Sequence, residues 1–242
     1  GDCLQGDNAA YYYNYVDTLS KHLYARMVEY IGYDAVVVGN HDIETGHKVY
    51  DRLVKTMDVP LLAANAIRTD NGKAYFQEYV TLKRHGLNIT IIGFTNPNIK
   101  GWLSPGLWEG MTFESLLPFA QETVDRIKTK EKSDVVIVAV HAGTGKGDGS
   151  VLESQGLDLF KSLRGVDFVV CAHDHSPVVH KNDIRIPGMH NVENFLGVIA
   201  VLWGEVEIAD FVKVAKEFDF PSFCFDMATG IGKTRLMGAA IY

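Results

Sequence analysis

The sequence predicts an α/β fold built on a largely parallel sheet. Three observations predict it. Short β-branched runs such as "DAVVVG", "DVVIVAV" and "VDFVVCA" alternate with stretches whose apolar residues recur at helical spacing. Polar, chemistry-bearing residues stand directly behind those runs, where the carboxyl ends of parallel strands form a common edge. The length of 242 residues, 47% of them hydrophobic, is enough to bury one sizeable α/β core.

The elements follow in order. Val16, Leu19, Leu23, Met27 and Ile31 predict a first helix, started by Asp17 or Ser20 as a cap and ended by Gly32. "DAVVVG" is a buried strand, "HKVYDRLVKTM" an amphipathic helix and "PLLAANAI" a strand. "YFQEYVTLKRHGLNITIIGF" reads as two strands around a His85-Gly86 turn. Leu116, Ala120, Val124 and Ile127 line a further helix, with Pro118 tolerated in its first turn. "DVVIVAV" is a strand, "VLESQGLDLFKSLRG" a helix and "VDFVVCA" a strand. Beyond residue 197, "IAVLWGEVEI" reads as one or two strands and "ADFVKVAKEF" as a helix, while the last stretch has no clear period.

The formal net charge of -7 disfavours a nucleic acid polymer as partner, because backbone binding needs clustered Lys and Arg. There is no apolar run of membrane-spanning length and no visible signal peptide. The chain starts at "GDCLQG" without Met, which reads as a fragment or a processed form. Three cysteines, Cys3, Cys171 and Cys224, do not make a disulfide framework. Cys3 and Cys171 read as small buried hydrophobes. "TGIGKT" is not a phosphate loop, since Met227 stands where that motif needs Gly.

The polar clusters are Asp2 in "GDCLQG", Asn40 and His41 behind "AVVVG", His141 behind "VVIVAV", and His173 and His175 behind "FVVC". If these share one sheet edge, an acid, an amide and several imidazoles converge, and such residues ligate Zn, Mn, Fe, Co or Ni. On an extended segment His173 and His175 would face the same side, with Asp174 pointing away. Ligands scattered this widely suit a catalytic rather than a structural site. His22, His47, His85, His180 and His190 read as surface or core residues, His190 being the one to watch near a phosphate. The Tyr11-Tyr12-Tyr13 run reads as packing in preference to base stacking.

The ordered blocks "GD", "GNHD", "VHAG" and "AHDH" resemble the signature blocks of the calcineurin-like metallophosphoesterases. "GDCLQG", "LLAANA" and "IPGMHNVENFLG" are similar to segments of its 5'-nucleotidase and 2',3'-cyclic-nucleotide phosphodiesterase branch. The resemblance spans roughly residues 1–197, read as the catalytic domain, with 198–242 as a continuation of it. It implies a four-layer α/β/β/α sandwich with mixed, largely parallel sheets. It implies two divalent ions (Mn, Zn, Fe, Co or Ni) and a small phosphorylated substrate, a nucleotide above all. By matching positions Asp2 would bridge both ions. Asn40, His141 and His173 would complete one shell, and His175 would bind the other ion. His41 would face the phosphoryl group as acid or transition-state stabiliser, oriented by Glu44 where the branch usually has Asp.

The branch's Asp-x-His block, expected upstream of Asp2, is not in this sequence, which leaves one ion with Asp2 and His175 alone. Ala172 replaces the usual Gly, and nothing in 198–242 resembles the branch's base-stacking domain. The implied reaction is attack on phosphorus by a metal-activated water, in a periplasmic or other extracytoplasmic compartment. Alternatives are another phosphodiesterase, a thiosulfate-ester hydrolase, or a non-catalytic metal-binding module.

Overall fold

The computed structural model describes residues 1–6, 8–84 and 86–175, together with the strands Val178–Lys181 and Phe223–Met227. The chain enters through helix α1 (Asn8–Tyr11), which continues into a π-helical turn (Tyr12–Val16). Then come α2 (Leu23–Ile31), β1 (Val36–Val37), α3 (Asn40–Glu44), α4 (His47–Thr56), β2 (Leu61–Leu62) and β3 (Ala66–Arg68). Strands β4 (Tyr79–Arg84) and β5 (Leu87–Phe94) precede α5 (Ile99–Trp102), β6 (Met111–Phe113) and α6 (Leu116–Glu131). The series closes with β7 (Val135–Val140), α7 (Gly156–Ser162), β8 (Phe168–Ala172), β9 (Val178–Lys181) and β10 (Phe223–Met227).

The result is a mixed α/β fold. Its main sheet runs β4-β5-β7-β8-β10-β9. The inner pairs β5–β7, β7–β8 and β8–β10 are parallel, and the outer pairs β4–β5 and β10–β9 are antiparallel. Two short sheets accompany it, β1 parallel to β2 and β3 antiparallel to β6. Register aligns the carboxyl ends of the parallel strands: Phe94 pairs with Val140, and Val140 with Cys171.

Among the described residues two large hydrophobic cores form, beside a small cluster around Ile89 and Val135. One joins β5, β7 and β8 to α6 and α7 through Ile92, Phe94, Val124, Ile127, Val138, Val140, Leu159 and Cys171. The other packs Leu4, Val28, Val38, Ile43, Tyr50, Leu53 and Ile99 around β1, α3 and α4. Helix α6 shows how the sequence sets this up. Leu116, Ala120, Val124 and Ile127 fall on one face and are fully buried.

Three expectations are corrected. The first helix begins at Leu23, and His22 is its N-cap, accepting the Tyr24 N–H on Nδ1 at 3.1 Å. Val16 and Leu19 are exposed, because Asp17 instead receives the Leu19 and Ser20 N–H groups in a turn that breaks the helical run. "PLLAANAI" is divided into β2 and β3, since Asn65 exchanges hydrogen bonds with the Thr95 backbone and turns the chain. Helix α7 starts at Gly156, and Val151 and Leu152 stay exposed ahead of it. Strand β10 joins the main sheet from within the region 198–242. The readings of "IAVLWGEVEI" and "ADFVKVAKEF" lie outside the described residues.

Candidate metal centre

The site is built from loops at the strand ends. Behind β1 the chain turns at Gly39 into α3, and Asp42 sits in the first helical turn. Its buried carboxylate accepts four backbone N–H groups: Gly39 at 2.8 Å, Asp2 at 2.9 Å, Cys3 at 2.9 Å and Leu4 at 3.2 Å. A charged acceptor shared in this way stitches the "GDCLQG" loop to the "GNHD" loop. Asp2 is held with φ of 62°, a conformation L residues rarely adopt, and its Oδ1 accepts the His41 N–H at 2.9 Å. A Cβ on Gly39 would collide with the Asp2 carboxylate, so this close approach requires glycine.

The "GDCLQG" loop has a second tether. The Asn14 amide donates to the Leu4 carbonyl at 2.7 Å, and the Asn14 oxygen lies 2.9 Å from His22 Nε2. His22 Nδ1 is occupied in capping α2, so Nε2 carries the proton and donates to Asn14. Burial and then the charge of Arg52 push the His22 pKa down to about 4, which keeps the ring in this neutral, capping form.

The imidazoles come from the main sheet. His141 follows β7 directly, is fully buried, and points Nε2 at Asp2 Oδ2 (2.8 Å) and Asn40 Oδ1 (3.1 Å). His173 follows β8 and meets His141 edge-on, ring centroids 5.3 Å apart. Ligand atoms of Asp2, His141 and His173 all lie within 4.8 Å of one another. The structure therefore brings together Asp2, Asn40, His141 and His173. His175 is exposed and outside that group. The segment carrying His173 and His175 is not extended as expected: both residues have positive φ, 112° and 56°. Asp174 between them turns back to accept the Thr144 N–H at 2.7 Å, and Gly143 leaves room for its carboxylate.

Electrostatics match ligation. Burial pushes the His141 pKa below its ordinary value in spite of Asp2 beside it, which favours the neutral, ligating form of the ring. Burial opposes ionisation of Asp2, but hydrogen bonds from His141 and from the His41 N–H outweigh it and hold the carboxyl well below the usual range. Two oxygens that only accept thus face one imidazole nitrogen, and a single N–H cannot serve both fully. His141 Nδ1 is itself buried without a partner among the described residues. A divalent ion among these groups would be held by the oxygens of Asp2 and Asn40 together with His141 Nε2, leaving the ring proton on Nδ1. The donor set of carboxylate, amide and imidazoles fits the Mn, Fe, Co, Ni and Zn series.

His41 stands apart from the four. Its Nδ1 lies 2.5 Å from Glu44 Oε2, and both side chains are about two-fifths exposed (39% and 40%). Gln5 also donates to Glu44, at 3.1 Å. His190 lies outside the described residues. Sequence reasoning missed Asp42 and the His22–Asn14 tether. The acidic residue three positions after Gly39 carries a capping signature that points to part of the Asp42 role. The tether leaves no local pattern.

A family model for calcineurin-like phosphoesterases matches residues 1–177. The trifunctional nucleotide phosphoesterase protein YfkN of Bacillus subtilis is 27% identical over 191 residues, covering 72% of this chain and 13% of that protein. The 5'-nucleotidase of Vibrio cholerae is 27% identical over 151 residues, covering 61% and 27%. The crystal structure of YfkN superimposes with a TM-score of 0.65 at 22% identity, over 77% of this chain and 58% of that one. The chain thus spans under a third of the length of those two sequence relatives.

Proposed function

The chain belongs to the calcineurin-like phosphoesterase family, and on that premise we propose that it hydrolyses phosphate esters of nucleotides, as a 5'-nucleotidase or a 2',3'-cyclic-nucleotide phosphodiesterase. One observation carries the proposal: an acid from the "GDCLQG" loop, an amide behind β1 and imidazoles behind β7 and β8 meet in one cluster. Members of the family generally depend on divalent metal. Asp2, Asn40, His141 and His173 would hold one such ion, and Asp2 with His175 would serve a second.

Bound there, divalent ions would neutralise charge on the phosphoryl oxygens and supply the activated water. The protein's own contribution is order and a proton. Asp42 fixes the Asp2 loop, so the carboxylate is preorganised rather than recruited. Glu44 takes the Nδ1 proton side of His41, which leaves Nε2 free to meet the substrate. The same carboxylate stabilises the imidazolium that hands a proton to the leaving alkoxide.

Nucleotidase activity in relatives supports the substrate class, since YfkN is by name a nucleotide phosphoesterase. No described helix is long and apolar enough to cross a membrane. We assign the chain to a periplasmic or other extracytoplasmic setting, on the resemblance of its motifs to the 5'-nucleotidase branch. The test is turnover of AMP, 2',3'-cyclic AMP and bis-p-nitrophenyl phosphate with Mn²⁺ or Zn²⁺. Hydrolysis of the nucleotides supports the proposal; metal uptake with no ester cleaved overturns it in favour of a non-catalytic metal-binding module.

A further inference from the structure

Trp102, the last residue of α5, lies against the candidate centre. Its indole stacks on the His173 imidazole, with ring centroids 5.3 Å apart and planes 20° from parallel. His173 in turn touches His141 edge-on, so the three rings form a continuous series from the protein surface to the buried His141. Trp102 is 38% exposed, which sets it apart from the core residues whose packing alone explains them.

The platform beneath it is firm. Ile99 anchors α5 in the second core and is fully buried. Asn96, also fully buried, donates to the Glu153 carbonyl at 2.9 Å and accepts the Asn98 N–H at 2.9 Å. The loop that leads from β5 to Trp102 is therefore tied to the Glu153 segment. His173 needs such help. Its φ of 112° is rarely adopted by a residue with a side chain, and the Asp174 bond to Thr144 braces the backbone rather than the ring.

We propose that Trp102 is a positioning residue for the metal centre: its stacked indole fixes the plane of the His173 ring, so that the ring's nitrogen stays turned toward Asp2 and His141. The inference rests on the reading of Asp2, Asn40, His141 and His173 as a metal site, and not on the identity of the ester cleaved. Outer groups that orient a ligating histidine typically carry about 10–100-fold of metal affinity.

The full chain is titrated with Mn²⁺ by calorimetry and with Co²⁺ by tryptophan emission. Trp102→Ala is expected to weaken Mn²⁺ binding by about tenfold or more, with its unfolding midpoint in chelator unchanged. Trp102→Phe keeps a stacking ring and should restore most of the affinity. Co²⁺ should quench wild-type emission, and the quench should persist in Trp108→Phe and largely vanish in Trp102→Phe. In a His173→Ala background, removing Trp102 should cost nothing further. Wild-type Mn²⁺ affinity in Trp102→Ala, failure of Phe to rescue, or losses that add in the double variant would each overturn the inference. These readouts need no turnover, so failure of the ester assay leaves them standing, whereas a wild-type chain that takes up no Mn²⁺ brings down this inference and the metal reading together.

Discussion

The Asp42 carboxylate receives the backbone N–H of Asp2 at 2.9 Å, across forty positions of sequence, and receives those of Cys3, Leu4 and Gly39 as well. The acid that would touch metal is thus placed by a second acid that would not. Asp42→Asn puts an amide where four donors converge and two acceptor oxygens are needed. Hydrogen bonds to a charged group contribute about 1.5–3 kcal/mol. The variant should lose roughly 3 kcal/mol of stability and bind Mn²⁺ more weakly. Denaturant titration and calorimetry measure both; an unchanged midpoint with unchanged affinity contradicts the bracing role.

His41 and His141 separate chemistry from ligation. His41→Ala should retain wild-type metal content and lose about 10²–10⁴-fold in turnover. His141→Ala should lose metal along with activity, since Nε2 is the group aimed at Asp2 and Asn40. Metal analysis of the two purified variants decides; equal content in both sinks the division of roles.

Gly143→Ala tests the brace under His173. A Cβ there overlaps the Asp174 carboxylate and also crowds Ser154. Relief requires breaking the Asp174–Thr144 bond, at a cost of about 1–3 kcal/mol for an overpacked site. The expected result is a lowered melting temperature and reduced Mn²⁺ affinity. A variant with both at wild-type level would mean that the turn after β8 moves freely.

His22 gives a pH signature. Its folded pKa of about 4 lies below the ordinary 6.5, so the unfolded chain takes up the proton first. The stability this residue contributes is complete above pH 6.5 and is lost as pH falls from there toward 4. The full loss is roughly 3 kcal/mol. Protonation also removes the Nδ1 acceptor that caps α2. The stability gap between wild type and His22→Gln, measured by denaturation in chelator, should shrink over that range. A gap independent of pH refutes the assignment.

Much of this architecture was legible because buried parallel strands announce themselves. Val135–Val140 and Phe168–Ala172 are apolar runs that end abruptly in His141 and in the His173 segment. Period-two and period-3.6 patterns locate such elements, and the order of the motifs locates the rim. What stayed hidden depends on partners remote in sequence. Val16 and Leu19 keep helical spacing yet lie exposed, because Asp17 bends the chain and His22 restarts it. Nothing local in "HLY" says that a histidine will cap a helix and hold an asparagine. Asp42 shows in sequence only its capping of Gly39, because its other partners, the N–H groups of Asp2, Cys3 and Leu4, are remote in sequence. The paired geometry of His173 and His175 failed as read because an extended backbone was assumed where the chain adopts positive φ.

The two hydrophobic cores lend the candidate site a mechanical character. Asp2 and Asn40 ride on the core that holds Leu4, Val38 and Ile43, whereas His141 and His173 ride on the one that holds Val140, Ala142 and Cys171. The four donors therefore sit astride a seam. A cation gripped by all of them would clamp one core against the other, so chelation should do more than silence chemistry: it should lower the melting temperature of the whole chain, as a thermal scan with and without chelator would read.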